Sequence, residues 1–208
     1  MRTKTLLLTA VLGVATAATS MAQVFSVNVV GYVNVVLRPG FNLIANPLNS
    51  TNNGINTIIP NPGVGSILYK FTNPGGFSQL AENAGPGVWD VNLTLAPGEG
   101  AFITVPALTT NTFVGEVLTG TRTNAIPAGF SIRSSIVPQS GALDTVLGFP
   151  AVAGDFIFRF SNATGYVGGV FESAGGGLWD PAPPAPAVGE AFWVQTVAAK
   201  DWVRTFNP

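Results

Sequence analysis

The feature that most constrains this chain is that it repeats itself. Pro39-Gly40-Phe41-Asn42-Leu43-Ile44 returns as Ala128-Gly129-Phe130-Ser131-Ile132-Arg133, an offset of 89 residues. The same offset places Tyr69-Lys70-Phe71-Thr72-Asn73 on Phe158-Arg159-Phe160-Ser161-Asn162. With one inserted residue, Gly87-Val88-Trp89-Asp90 falls on Gly177-Leu178-Trp179-Asp180. Gly98-Glu99-Gly100-Ala101-Phe102 then matches Gly189-Glu190-Ala191-Phe192, and Phe113-Val114 matches Trp202-Val203. A period of this length is too long for a thin solenoid repeat and suits a small domain. Whatever unit the chain forms, it must form it twice.

Each copy reads as short strands. Ile67, Tyr69 and Phe71 alternate along one stretch, as do Phe156, Phe158 and Phe160 in the other copy. Alternating aromatics put one strand face in a core, with Lys70 and Arg159 on the opposite face towards solvent. The chain has 25 glycines and 16 prolines, clustered between these runs, and they punctuate strands with turns. One short helical turn per copy is expected, at 55–59 and 143–147, each after Asn, Ser or Gly residues able to cap it. The expected fold is all-β: two tandem homologous β-sandwich or barrel-like repeats packed with pseudo-twofold symmetry. Whether they form two domains or share one sheet stays open.

The N-terminus has the layout of a secretory signal peptide. Basic Arg2 and Lys4 precede an uncharged apolar run to about Ala18, and Ser20-Met21-Ala22 offers a small-residue cleavage site. The run is too short for a spanning helix, which needs about 20 residues. The expected division is therefore 1–22 signal peptide, 23–37 N-terminal strand segment, 38–118 first repeat and 119–208 second repeat. Val24-Phe25 lies 89 residues before Phe113-Val114, and Gly31 lies 89 before Gly120. The segment from Val24 to Gly31 thus reads as a third copy of the strand that closes each repeat. It could pair within its own chain or with a neighbour, giving self-association by strand addition.

Removing Arg2 and Lys4 leaves 7 basic against 10 acidic residues, a net charge of −3. With no basic cluster, a nucleic-acid partner is not expected, nor is an anionic membrane surface or a membrane span after processing. Charged residues are 9% and apolar residues 47%, the opposite of a disordered chain, and with no cysteine the fold must rest on packing.

The absence of histidine and cysteine removes Ser-His-Asp and Cys-His catalysis and nearly all zinc, copper and haem sites. Lys70 and Lys200 sit in no Ser–Lys motif. Gly175-Gly176-Gly177 leads into Leu178-Trp179-Asp180 and prolines, unlike a phosphate loop. No cofactor and no metal is expected. Carboxylates are the remaining route: Glu82, Asp90 and Glu99 recur as Glu172, Asp180 and Glu190. Two acids can hydrolyse a glycoside, but an active site is single and these occur once per copy, which fits turn carboxylates accepting backbone N–H bonds better. Trp89-Asp90 and Trp179-Asp180 each follow a glycine-rich loop. They are the candidate ligand-binding residues, the ring stacking on a sugar and the acid taking a hydroxyl. The competing reading makes each Trp a core plug. Phe192 and Trp193 point to opposite faces of one strand, so one of them is exposed or lies between the copies.

Gly40-Phe41-Asn42-Leu43-Ile44-Ala45-Asn46-Pro47 followed by Pro97-Gly98-Glu99-Gly100-Ala101-Phe102-Ile103 resembles a β-repeat of secreted and surface bacterial proteins, Gly-Trp-Asn-Leu-Ile-x-Asn-Pro with Pro-Gly-x-Gly-Phe-Trp-Val. Gly189-Glu190-Ala191-Phe192-Trp193-Val194 is the looser second copy. The resemblance covers most of the chain after residue 22 and implies a secreted or cell-surface location rather than a chemistry. The functional expectation is a secreted, non-catalytic structural or adhesive protein of the cell exterior. The alternative is a carbohydrate-binding module with a glycan partner, and a carboxylate-dependent glycosidase comes third.

Overall fold

The computed structural model describes residues 29–207. The expected signal peptide, and the part of the N-terminal strand segment before Val29, lie outside the described residues.

The N-terminal strand segment supplies β1 (Val30–Leu37), and the first repeat runs β2 (Gly40–Ala45), α1 (Ile55–Ile58), β3 (Ile67–Thr72), β4 (Gly76–Gly85), β5 (Val88–Trp89), β6 (Gly100–Val105) and β7 (Thr109–Glu116). The second runs β8 (Gly120–Ile126), β9 (Gly129–Arg133), β10 (Asp155–Ser161), β11 (Gly165–Gly175), β12 (Leu178–Asp180), β13 (Phe192–Thr196) and β14 (Lys200–Phe206). The strand order is matched. One five-stranded sheet is β2-β6-β3-β4-β5, the other β9-β13-β10-β11-β12, and each is accompanied by a two-stranded ribbon, β1-β7 or β8-β14. The pairings are antiparallel. The fold is all-β, as its alternating pattern and turn clusters predict.

The opening strand pairs within its own chain. β1 lies beside β7 from Val30↔Glu116 to Leu37↔Thr109. Val30 and Gly31 therefore belong to an opening strand, and Gly120, the partner of Gly31 at the repeat offset, likewise starts β8 rather than ending β7. Val24 and Phe25 lie outside the described residues.

Each sheet buries one face against its ribbon. In the first repeat Ile44, Leu68, Ala101 and Ile103 meet Leu37 and Phe113, with Ile55, Ile58, Ile59, Trp89 and Leu95 closing the ends. In the second, Ile157, Phe192 and Val194 meet Ile126 and Trp202, capped by Leu143, Leu147 and Phe149. The other faces of the two sheets meet each other, and Leu43, Ala45, Phe102, Ile132, Ala191 and Trp193 form a third core at that seam. The alternating aromatics read from the sequence pack here: Tyr69, Phe71, Phe158 and Phe160 line the seam between the repeats.

Two expectations need correction. Lys70 and Arg159 do not simply face solvent. Lys70 Nζ donates to Glu99 Oε2 at 2.9 Å, and the Arg159 guanidinium grips both oxygens of Glu190 at 2.7 and 2.9 Å. The alternation was read correctly, but each cation is held down by the repeated acid. The helical turn at 55–59 exists as α1, yet its Gly54 N-cap makes no side-chain cap bond. The cap comes from afar: Asn56 N–H donates to Asn92 Oδ1 at 3.0 Å. Its counterpart is a looser hydrogen-bonded turn, in which the N–H groups of both Val146 and Leu147 converge on Ala142 O.

The repeats touch through reciprocal contacts. Ala45 N–H donates to Gly189 O at 2.9 Å, and at the repeat-equivalent positions Ser134 N–H donates to Gly98 O at 3.0 Å. Asn73 Nδ2 donates to Ala128 O, and Asn162 Nδ2 to Pro39 O, at 2.6 and 2.9 Å. Gly100 permits the closest approach: a Cβ there would lie 2.5 Å from both Ala191 Cβ and Ile132 Cγ2.

Candidate functional site

The two Trp-Asp pairs do not form matching platforms. Trp89 is 5% exposed, and its Nε1 donates to Ile59 O at 2.9 Å. It is a core plug, and its ring has no free face for a sugar. Trp179 is half-buried against the second core, and its Nε1 has no hydrogen-bond partner among the described residues. Asp90 and Asp180 are exposed. Asp90 Oδ1 accepts the N–H groups of Glu82 and Val91, both at 2.7 Å, so it ties β5 back onto β4. Asp180 is paired with Glu172 in the β11–β12 ladder. Trp179 and Asp180 are neighbours on β12, which turns their side chains to opposite sides.

The repeated glutamates hold turns. Glu99 Oε2 accepts Ala96 N–H at 2.9 Å as well as Lys70, and Glu190 Oε2 accepts Ala187 N–H at 2.9 Å as well as Arg159. Lys70 also donates to Thr94 O, while Lys200 pairs with the buried carboxylate of Asp155. Asp155 was not singled out in the sequence. The signal for it was present: at the repeat offset, Asp155 and Lys200 replace Ser66 and Asn111 together. Among the described residues, no group of three or more acidic side chains gathers into a metal cage.

The surface that stands out is made by the seam aromatics. Rings touch in a continuous belt, with Phe71 and Trp193 at 4.7 Å between centroids, Phe102 and Phe160 at 5.1 Å, and Phe41 and Tyr69 at 5.7 Å. Edge-on contacts dominate, the geometry ring quadrupoles favour. At one mouth of the seam the belt opens into a cleft of about 500 Å³ lined by Phe41, Tyr69, Phe77, Leu80, Phe102 and Phe160, with almost no polar surface. Phe41, Phe77 and Leu80 are exposed there. A second apolar surface lies on the β1–β7 ribbon. Val30, Tyr32 and Val36 alternate outward, and Tyr32, 72% exposed, sits directly opposite exposed Val114.

No family model matches the chain, and no curated protein and no solved structure is significantly similar to it.

Proposed function

We propose that this is an exported structural or adhesive protein of the cell exterior, built from two copies of one β-unit packed with pseudo-twofold symmetry, and that it works by contact rather than chemistry. The reciprocal hydrogen bonds across the seam support the two-copy arrangement. The signal-peptide layout and the resemblance to secreted β-repeats support the location.

The observation that carries the contact role is that one chain carries both the aromatic cleft and the outward apolar face of the β1–β7 ribbon. Exposed apolar patches of this kind mark interaction surfaces. A sugar is a poor occupant, because its hydroxyls would lose water and find no partner on an apolar wall. An apolar side chain from a second copy fits, since each chain carries both a cleft and an apolar ribbon. A cleft that takes a different surface of the next copy gives a head-to-tail contact, which builds rings or open filaments.

Light scattering across a concentration series tests this reading. The purified protein is expected to grow in mass with concentration. Leu80→Ser in the cleft and Tyr32→Ser on the ribbon should each stop growth while leaving circular dichroism unchanged. An equal mixture of the two variants should stop at dimers, because only one productive contact per pair survives. A protein that stays monomeric throughout would overturn the self-assembly role.

A further inference from the structure

The seam has two lateral grooves at equivalent places, and they differ. One, of about 340 Å³, is bordered by Asn42 and Ile44 of β2. The other, of about 740 Å³, is bordered at the equivalent positions by Ser131 and Arg133 of β9. In the smaller groove Asn42 is consumed by its own turn. Its Oδ1 accepts Arg38 N–H at 2.9 Å, and its Nδ2 donates to Arg38 O and Gly40 O at 2.8 and 3.0 Å. Ile44 is buried in the first core. In the larger groove the shorter Ser131 makes no such bonds. Ser131 is 5% exposed, and neither its Oγ nor Arg133 Nε has a hydrogen-bond partner among the described residues.

Buried polar groups are nearly always satisfied, so two orphans side by side on one wall of an open groove ask for a cause. The surrounding charges narrow it. Lys70 is matched by Glu99 and Lys200 by Asp155, while Arg133 belongs to none of the three ion pairs of the described residues. Burial pulls the Arg133 guanidinium below its ordinary value, and nearby Glu99 offsets that only in part. Arg133 therefore has no ion-pair partner among the described residues, with Glu99 already spent on Lys70. Asp201, exposed, also borders the groove. Glu99 and Asp201 would repel a doubly charged phosphate more than a single carboxylate, and a carboxylate matches the planar donors of the guanidinium. Thr72, Asn73 and Gln79 border the same groove; Asn73 Nδ2 gives one hydrogen to Ala128 O and Thr72 Oγ1 meets Ser78 Oγ, and the capacity left on these side chains, with the Gln79 amide, can serve hydroxyl groups.

We infer that the larger seam groove binds a small hydroxylated monocarboxylate, a sugar acid, with Arg133 and Ser131 receiving the carboxylate and Thr72, Asn73 and Gln79 the hydroxyls. The inference is independent of the apolar cleft and of self-assembly. The groove volume lies within the range of ligand sites, about 300–1,000 Å³.

Glucuronate, glucose and inorganic phosphate titrated into the purified protein by calorimetry or NMR supply the test. Glucuronate is expected to bind at least tenfold more tightly than glucose or phosphate. Arg133→Ile, which installs the side chain found at position 44, should abolish that preference. Ser131→Asn, which refills the groove as in the first repeat, should weaken glucuronate at least tenfold. Both variants borrow residues the fold already accommodates, and unchanged melting curves confirm that binding alone was lost. Absence of glucuronate binding, equal binding of glucose, preference for phosphate, or wild-type affinity in Arg133→Ile would each overturn the assignment.

Discussion

The two repeats solve the same packing problem with different tryptophans. In the first, Trp89 enters the core from β5 and donates to Ile59 O at the end of α1, while Asn111 Nδ2 donates to Ile58 O at 3.0 Å. In the second, the residue at the Trp89 position, Trp179, is half-buried with its Nε1 unpartnered among the described residues. The bond that Asn111 makes is made there by Trp202, at the position of Phe113, whose Nε1 donates to Leu147 O at 2.8 Å. Leu147 is the repeat partner of Ile58. Each turn carbonyl is thus bonded by a core side chain, but the donor sits at a different position. A polar exchange accompanies the switch. Ser66 and Asn111 in the first repeat become the Asp155–Lys200 ion pair in the second, with Asp155 fully buried. What the repeats conserve is a satisfied turn, not a particular residue.

The largest expected effect tests that polar exchange. Lys200→Asn leaves the Asp155 carboxylate buried without its cation and should cost about 3–5 kcal/mol in chemical denaturation. Adding Asp155→Ser, which copies the pair of the first repeat, should recover most of the loss. If the double variant is as unstable as the single one, the two arrangements are not interchangeable.

The tryptophans give the next effect. Trp89→Phe keeps an aromatic ring but leaves the Ile59 carbonyl without its donor, and should cost about 1–3 kcal/mol. Trp179→Phe removes an N–H that has no partner among the described residues and should change stability by less than about 0.5 kcal/mol. Equal losses at both sites would show that the repeats use these positions alike. The smallest effect concerns α1. Asn92→Ala should cost about 1 kcal/mol by exposing the Asn56 N–H, with the change confined to the first repeat in hydrogen exchange.

Much of the fold was legible because β-structure writes itself locally. Alternating Ile67, Tyr69 and Phe71, the Gly and Pro clusters, and the 89-residue offset all act over a few residues or compare one stretch with another. The placement of Phe192 and Trp193 on opposite faces followed from the same period of two, with Phe192 in the second core and Trp193 at the seam. The candidate site was less legible. Trp89-Asp90 and Trp179-Asp180 look alike in sequence, but burial depends on what arrives from elsewhere. Ile59 and Asn56 close over Trp89 from about thirty residues away. The Asn92 cap on α1 and the Glu99–Lys70 and Glu190–Arg159 pairs are likewise long-range.

The sequence by itself determined that the chain is all-β, that one residue pattern recurs at an offset of 89, and that no histidine or cysteine chemistry is open to it. These are properties of composition and of spacing along one strand, and they need no partner to be read. Only the tertiary structure decided which aromatic faces became cores and which stayed open, and how the acids were spent. It also set which of two equivalent grooves kept a buried serine hydroxyl and an arginine Nε without a hydrogen-bond partner among the described residues. Those outcomes depend on how two sheets meet face to face. A change from Asn42 to Ser131, or from Ile44 to Arg133, has no visible consequence until the opposite wall is in place.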